Sequence, residues 1–368
     1  AVMAVKAGFC HHNSIGSLHG AHDRSLRSGL RRPDSRAGST LTGSLRDVGT
    51  GEVPVGGAPV PPSADGGMRR SIPIPTRLSA TLEALRPRQW VKNVLVAAAP
   101  AAAGVLHEPE TLRVTAWTFV AFCFASSAIY LLNDARDAAA DRRHPTKCHR
   151  PIARGDVPVP MALALAAAFG LGAVALGWRA GTGALAIVLV SYLTINVAYC
   201  FGVKRIAVIE LGAVASGFIL RAAAGGAALH LPLSKWFLAV VSFSALFVVT
   251  GKRMSELQQM GEGNDQTRAV LASYTQSFLQ SVLTLSAGVA VTTYCLWTFD
   301  KGIPHAGHLP RYVFLELTTV PVVLGVLRVL QAMDAGEGGS PEDLVYRDRT
   351  LQILGLLFVA LFAVGVYG

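Results

Sequence analysis

The sequence predicts an all-α, polytopic membrane protein, and three features predict it. Apolar runs recur from about residue 85 to the C-terminus, each near the twenty residues that a helix needs to cross a hydrocarbon core. The chain is 51% hydrophobic and only 15% charged, whereas soluble domains carry about a quarter charged residues. The charge is gathered into short connections between the apolar runs.

Nine spanning helices are expected, over roughly 90–107, 111–132, 159–178, 181–201, 206–226, 235–254, 276–298, 311–332 and 350–367. Pro100 interrupts the first. Small residues crowd these runs, as in AAAPAAAG and AAAGGAA. They let helices approach closely where lipid gives no hydrophobic drive to associate. Residues 1–78 read differently, rich in Gly, Ser, Arg and Pro without a spanning run. They also lack the apolar core of a secretory signal. They are expected to be a disordered or non-native extension, with Met68 opening a more ordinary start, MRRSIPIP. Residues 79–368 form the expected transmembrane domain.

The net charge of +10 divides into two parts. Residues 1–80 hold ten Lys/Arg against five Asp/Glu, half the excess. Most of the rest lies in alternate loops and reports topology. Those loops carry Arg86, Arg88 and Lys92; Arg136, Arg142, Arg143, Lys147, Arg150 and Arg154; Lys204 and Arg205; Lys252, Arg253 and Arg268; Arg347 and Arg349. The opposite loops are short and nearly uncharged. The basic loops are therefore expected in the cytoplasm and the C-terminus outside, with the lipid bilayer as the chain's surroundings. No basic face on a soluble domain is visible, so no nucleic-acid partner is expected. Cys10, Cys123, Cys148, Cys200 and Cys295 are scattered with no CxxC, which argues against a disulfide framework or a zinc site. The sequence admits a homo-oligomer and carries no signal of stoichiometry.

The strongest chemical signal is LLNDARDAAADRRHPTKCHRPIARG, residues 131–155. Asp134, Asp137 and Asp141 are spaced i, i+3, i+7, which shares one helix face. Three neighbouring carboxylates repel unless a cation sits among them. Magnesium takes carboxylate oxygens, keeps waters and bridges to phosphates. Asn133 can add a neutral oxygen. The motif then turns basic, through Arg142, Arg143, His144, Lys147 and Arg150, as a metal-bound phosphate ligand would need.

Three further groups sit near the same face. Tyr199, Lys204 and Glu210 surround YCFGVKRIAVIELG. Glu210 opens an apolar run, where an unpaired carboxylate is costly; a structural pair with Arg221 is one explanation. In GKRMSELQQM, Lys252, Arg253 and Glu256 share a turn. Lys252 and Glu256, at i,i+4, could form an ordinary helix-surface pair. In RPRQWVKN, Trp90 suits an interfacial anchor, and Lys92 an anchor or a phosphate ligand. Ser340, Glu342 and Asp343 suggest a helix start.

Taken together, these residues resemble the UbiA superfamily of intramembrane prenyltransferases over about residues 85–368. The resemblance implies a nine-helix UbiA-like bundle and magnesium-dependent catalysis with Asp134, Asp137 and Asp141 on the metal. The superfamily commonly has a second Asp-rich motif in the 6–7 loop. Here that loop reads GKRMSEL. The combination of RPRQWVKN, the NDxxDxxxD segment, ELGAVASGFILRAAAGG and GKRMSEL is similar to one branch, the actinobacterial decaprenyl-phosphate phosphoribosyltransferases. Members move 5-phosphoribosyl from phosphoribosyl pyrophosphate (PRPP) to decaprenyl phosphate, for cell-wall arabinan. That resemblance implies Lys92, Asn133, Lys147, Arg150, Tyr199, Lys204, Glu210, Lys252, Arg253 and Glu256 as substrate-binding candidates. A prenyltransferase using a prenyl diphosphate donor is the alternative. A transporter is a third class, against which stand the lack of an internal repeat and the gathering of charge at one membrane face.

Overall fold

The computed structural model of the chain describes residues 74–180, 183–258, 268–301, 309–335 and 341–368. The described residues contain helices and no strand. Most of the expected extension lies outside them, although helix α1 (Ile74–Ala84) begins within it. A 3-10 stretch over Pro87–Ala97 follows, then α2 (Ala98–Ala103) and the long α3 (Pro109–Asp141). After a 3-10 turn at Lys147–His149 come α4 (Pro151–Arg154), α5 (Val159–Arg179) and α6 (Gly183–Phe201). A further 3-10 turn, Val203–Arg205, leads to α7 (Ile209–Ala228) and α8 (Lys235–Gln258). The chain continues through α9 (Arg268–Leu271), α10 (Gln276–Lys301), α11 (Leu309–Leu317), α12 (Thr319–Asp334), α13 (Pro341–Arg347) and α14 (Arg349–Tyr367).

Eight helical stretches among the described residues are long and apolar enough to cross a membrane. The first of the nine expected runs, the one that Pro100 interrupts, is not among the eight and forms the 3-10 stretch plus α2. Pro100 has no N–H to give the Val96 carbonyl, as an α-helix would require. That carbonyl instead lies against α7 at Gly225, where a Cβ would sit 2.0 Å from its oxygen. Only glycine permits this approach. The broken element is still long: its 3-10 part extends about 22 Å at ~2 Å per residue, and α2 about 9 Å. Its ends lie at opposite ends of the bundle. Arg86, just before it, reaches Asp134 at the end of α3. At its other end, the Tyr367 hydroxyl at the C-terminus donates to the Ala101 carbonyl at 3.2 Å.

Helix α3 has 33 residues, about 50 Å of helix, against a hydrocarbon core of about 30 Å. Its final turns therefore extend past the apolar layer. In its apolar stretch 67% of the residues are buried, against 6% in α14, so α3 is central and α14 peripheral. Leu171, Ile187 and Leu356 are about 70% exposed. Water would penalise such a surface, and lipid chains would not. Helix α7 joins two cores. Leu211 and Ala215 pack with residues of α8, α10 and α12, while Ala224 and Ala228 pack with α3, α5 and α6. Arg221, between them, donates to the Asn93 side-chain amide oxygen, the Gly217 carbonyl and the Tyr192 hydroxyl. The helix start expected around Ser340, Glu342 and Asp343 coincides with α13, which begins at Pro341; Ser340 lies outside the described residues.

A candidate active site at the end of α3

Two polar clusters meet where α3 leaves the apolar layer. The first is the acidic motif. Asp134 and Asp141 are buried and Asp137 is half-buried, and every carboxylate has a cation. Arg86 Nη2 donates to both oxygens of Asp134, at 2.7 and 2.6 Å. Arg150 Nη1 bridges Asp134 at 3.1 Å and Asp141 at 2.7 Å. Lys204 Nζ donates to both oxygens of Asp137, at 2.9 and 2.8 Å. These cations come from three segments distant in sequence. Pro87 bars Arg86 from the right-handed helical region, and Arg86 takes a left-handed conformation, φ 56°. Its guanidinium lies over the Tyr130 ring, 5.0 Å from the centroid. Asn133 accepts from Cys200 Sγ at 3.6 Å.

The second cluster centres on Arg253. Its Nε and Nη2 donate to the two oxygens of Glu210, both at 2.8 Å. Nη1 donates to Glu256 at 2.5 Å, and Nη2 also reaches the Tyr199 hydroxyl at 3.3 Å. Glu210 is fully buried, and losing its partner would cost about 3–5 kcal/mol. Its position depends on a strained turn. Val208, a β-branched residue, has φ 67°, a conformation worth about 1–3 kcal/mol of strain. The Val208 N–H donates to the Tyr274 hydroxyl at 2.7 Å, and that hydroxyl donates to Glu210 at 3.4 Å. Burial pushes the Tyr274 phenol above its ordinary pKa, so it stays a neutral donor. The two clusters share the α6–α7 connection: Tyr199 is next to Cys200, and Lys204 lies five residues on.

Two expected pairings are corrected. Glu210 pairs with Arg253 instead of Arg221, because α8 brings its last turn against the start of α7. Arg221 is held by an amide, a phenol and a carbonyl, and its guanidinium lies 4.8 Å from the Tyr192 ring centroid. Glu256 pairs with Arg253 at i,i+3 instead of Lys252 at i,i+4. Lys252 is exposed and makes none of the cluster's contacts. Lys92 and Lys147 are half-buried, and neither makes one of the ion pairs to the acidic motif. Arg86 and Tyr274 were missed. Arg86 stands in RPRQWVKN, where its charge reads as topology and its partner lies 48 positions away. Nothing in the sequence marks Tyr274.

The donors of the acidic motif are all oxygens, as magnesium requires. Among the described residues no three acidic, His or Cys side chains converge into a ready metal cluster. The reason is visible in Arg150, whose Nη1 stands between the outer two carboxylates. The donor set fits a hard divalent ion, provided that the cations turn outward when it binds.

Fold and site define a multi-pass helical membrane protein with an acidic, cation-paired centre where its central helix emerges from the bundle. Residues 94–343 match the model of the UbiA prenyltransferase family. The chain belongs to that family. Among its relatives, a Mycobacterium tuberculosis protein named decaprenyl-phosphate phosphoribosyltransferase is 43% identical over 77% of this chain and 93% of that one. A Corynebacterium glutamicum protein of the same name is 44% identical over 78% of this chain and 86% of its own length. A solved UbiA homolog from Archaeoglobus fulgidus, bound to DMAPP and Mg2+, aligns with TM-score 0.59. It covers 78% of this chain and 97% of that chain at 15% identity. At that identity the likeness is one of fold.

Proposed function

We propose that this protein transfers 5-phosphoribosyl from PRPP to decaprenyl phosphate, giving decaprenyl-phosphoryl-5-phosphoribose and pyrophosphate. The observation that carries the proposal is 42–44% identity to relatives of that name over 86–93% of their lengths. The site chemistry agrees with it. Asp134, Asp137 and Asp141, with Asn133, would hold magnesium, which when bound neutralises charge on a leaving pyrophosphate. Arg86, Arg150 and Lys204 are the cations at hand for the remaining phosphate oxygens. Transfer breaks the bond from ribose C1 to pyrophosphate oxygen and forms one from C1 to the lipid phosphate oxygen. The acceptor is a phosphate monoester, already anionic near neutral pH. No protein base is needed.

The catalytic unit is taken to begin near residue 79. The positive loops favour a site on the cytoplasmic side of the plasma membrane, where PRPP is soluble, with the polyprenyl tail among lipid-facing helices. The product would serve as a precursor of cell-wall arabinan. The test is incubation of purified protein with magnesium, decaprenyl phosphate and ribose-labelled PRPP. Label is expected in the lipid fraction, and none with Asp134→Ala. Consumption of a prenyl diphosphate with no label entering lipid would overturn the proposal.

A further inference from the structure

The second cluster is poorly suited to clamping a phosphate in the arrangement that the structure shows: the acidic motif sets three cations against three carboxylates, whereas here one cation faces two. Four of the five N–H groups of Arg253 donate to Glu210, Glu256 and Tyr199. One guanidinium against two carboxylates leaves the trio with a formal charge of −1, which repels phosphate oxygens. What it offers outward is different. The Glu256 side chain is 32% exposed. Only its Oε2 is engaged among the described residues, so Oε1 remains an acceptor. Tyr199 is half-buried. Its hydroxyl accepts from Arg253, and among the described residues its own proton has no acceptor. A carboxylate acceptor and a phenol donor are thus held on one guanidinium, close to the acidic motif through the Cys200–Asn133 contact. Hydroxyl groups, which both donate and accept, complement such a pair. Phosphates do not, and a prenyl chain has nothing to offer it.

We propose that Glu256, oriented by Arg253 and assisted by Tyr199, binds the ribose hydroxyls of the donor and selects a pentosyl over a prenyl diphosphate. The proposal rests on the PRPP assignment above. Glu210 and Tyr274 then act as positioning residues, since buried Glu210 fixes the guanidinium that aims Glu256. A fixed charged acceptor discriminates strongly against an analogue lacking its hydroxyl.

The experiment compares kcat/KM for PRPP with that for its 2-deoxyribosyl analogue, using purified full-length protein and decaprenyl phosphate. The unsubstituted protein is expected to favour PRPP by about ten- to a hundredfold, the range of one charge-assisted hydrogen bond. Glu256→Ala should bring the ratio to within a few-fold of unity. A merely structural defect would slow both donors alike and leave the ratio unchanged, and that result would overturn the proposal. So would equal use of the two donors by the unsubstituted protein. If Glu256→Ala does not yield folded protein, Tyr199→Phe carries the same comparison, because it removes one hydroxyl and keeps both ion pairs. Failure of the unsubstituted protein to use PRPP at all would remove the donor assignment and this inference together. Transfer from PRPP with an unchanged ratio would remove this inference alone.

Discussion

Arg150 shows how much one side chain decides at the acidic motif. Its Nη1 touches Asp134 and Asp141, whose side chains are only 4% and 6% exposed. Two buried carboxylates that share one guanidinium nitrogen repel each other less for the cation between them. Arg150→Gln should therefore lower the thermal midpoint in EDTA, reflecting about 3–5 kcal/mol. Added magnesium should raise that midpoint more in the variant than in the parent, because the ion meets no competing guanidinium. Unfolding in detergent with and without magnesium checks this; an equal gain in both would show that arginine and metal do not share these carboxylates. The spacing of the acidic residues was legible in the sequence. Their partners were not, because a guanidinium 48 positions away carries no local mark of its target.

At the scale of elements, two contacts hold helices in register. Gly225 lets α7 touch the broken first element, since an added Cβ would fall 2.0 Å from Val96 oxygen. Gly225→Ala should lower the thermal midpoint by an amount corresponding to about 1–3 kcal/mol of overpacking. Gly212→Ala on the same helix is the control, since nothing lies within 4 Å of its Cβ position. A similar midpoint for the two variants would refute the close-contact account. The second contact is Asp348, which caps α14 by accepting from the Leu351 N–H at 3.0 Å and pairs with Arg328 at 2.8 Å. The backbone hydrogen bond, helped by Arg328, holds its carboxyl below the usual carboxylate range. A depressed folded pKa gives stability that is full above the ordinary pKa, about 4, and lost as pH falls through the lower folded value. Asp348→Ala should be less stable than the parent at neutral pH, and the midpoints should converge below about pH 4. A constant difference across that window would exclude the cap.

For the whole molecule, alternation of the spanning helices fixes which ends share a side. Helix α3 ends at the acidic motif, and seven further crossings follow, so the C-terminus lies at the opposite end of the bundle. The contacts of Tyr367 with Ala101 and His107, away from Arg86 and Asp134, agree with that placement. If the basic loops lie inside, as the positive-inside rule expects, a tag after Gly368 should be cleaved by protease added to intact spheroplasts. Arg143→Cys, in the loop after the acidic motif, should react with an impermeant thiol reagent only in inverted vesicles, measured against the parent's own cysteines. The reverse pattern would invert the proposed orientation.

The sequence by itself determined the helical membrane class, most of the spans and the acidic motif. Each is written in local composition and spacing: apolar length matches the bilayer, and three carboxylates recur on a helical period. Only the tertiary structure decided how the first run is broken, as a 3-10 stretch leading into α2, that Glu210 belongs to Arg253, and that Arg86 closes on Asp134. Those outcomes depend on which helix lies beside which. A proline removes a donor wherever it occurs, but whether its freed carbonyl meets a glycine is settled by packing. Charges likewise announce their sign in sequence, whereas burial selects the partner.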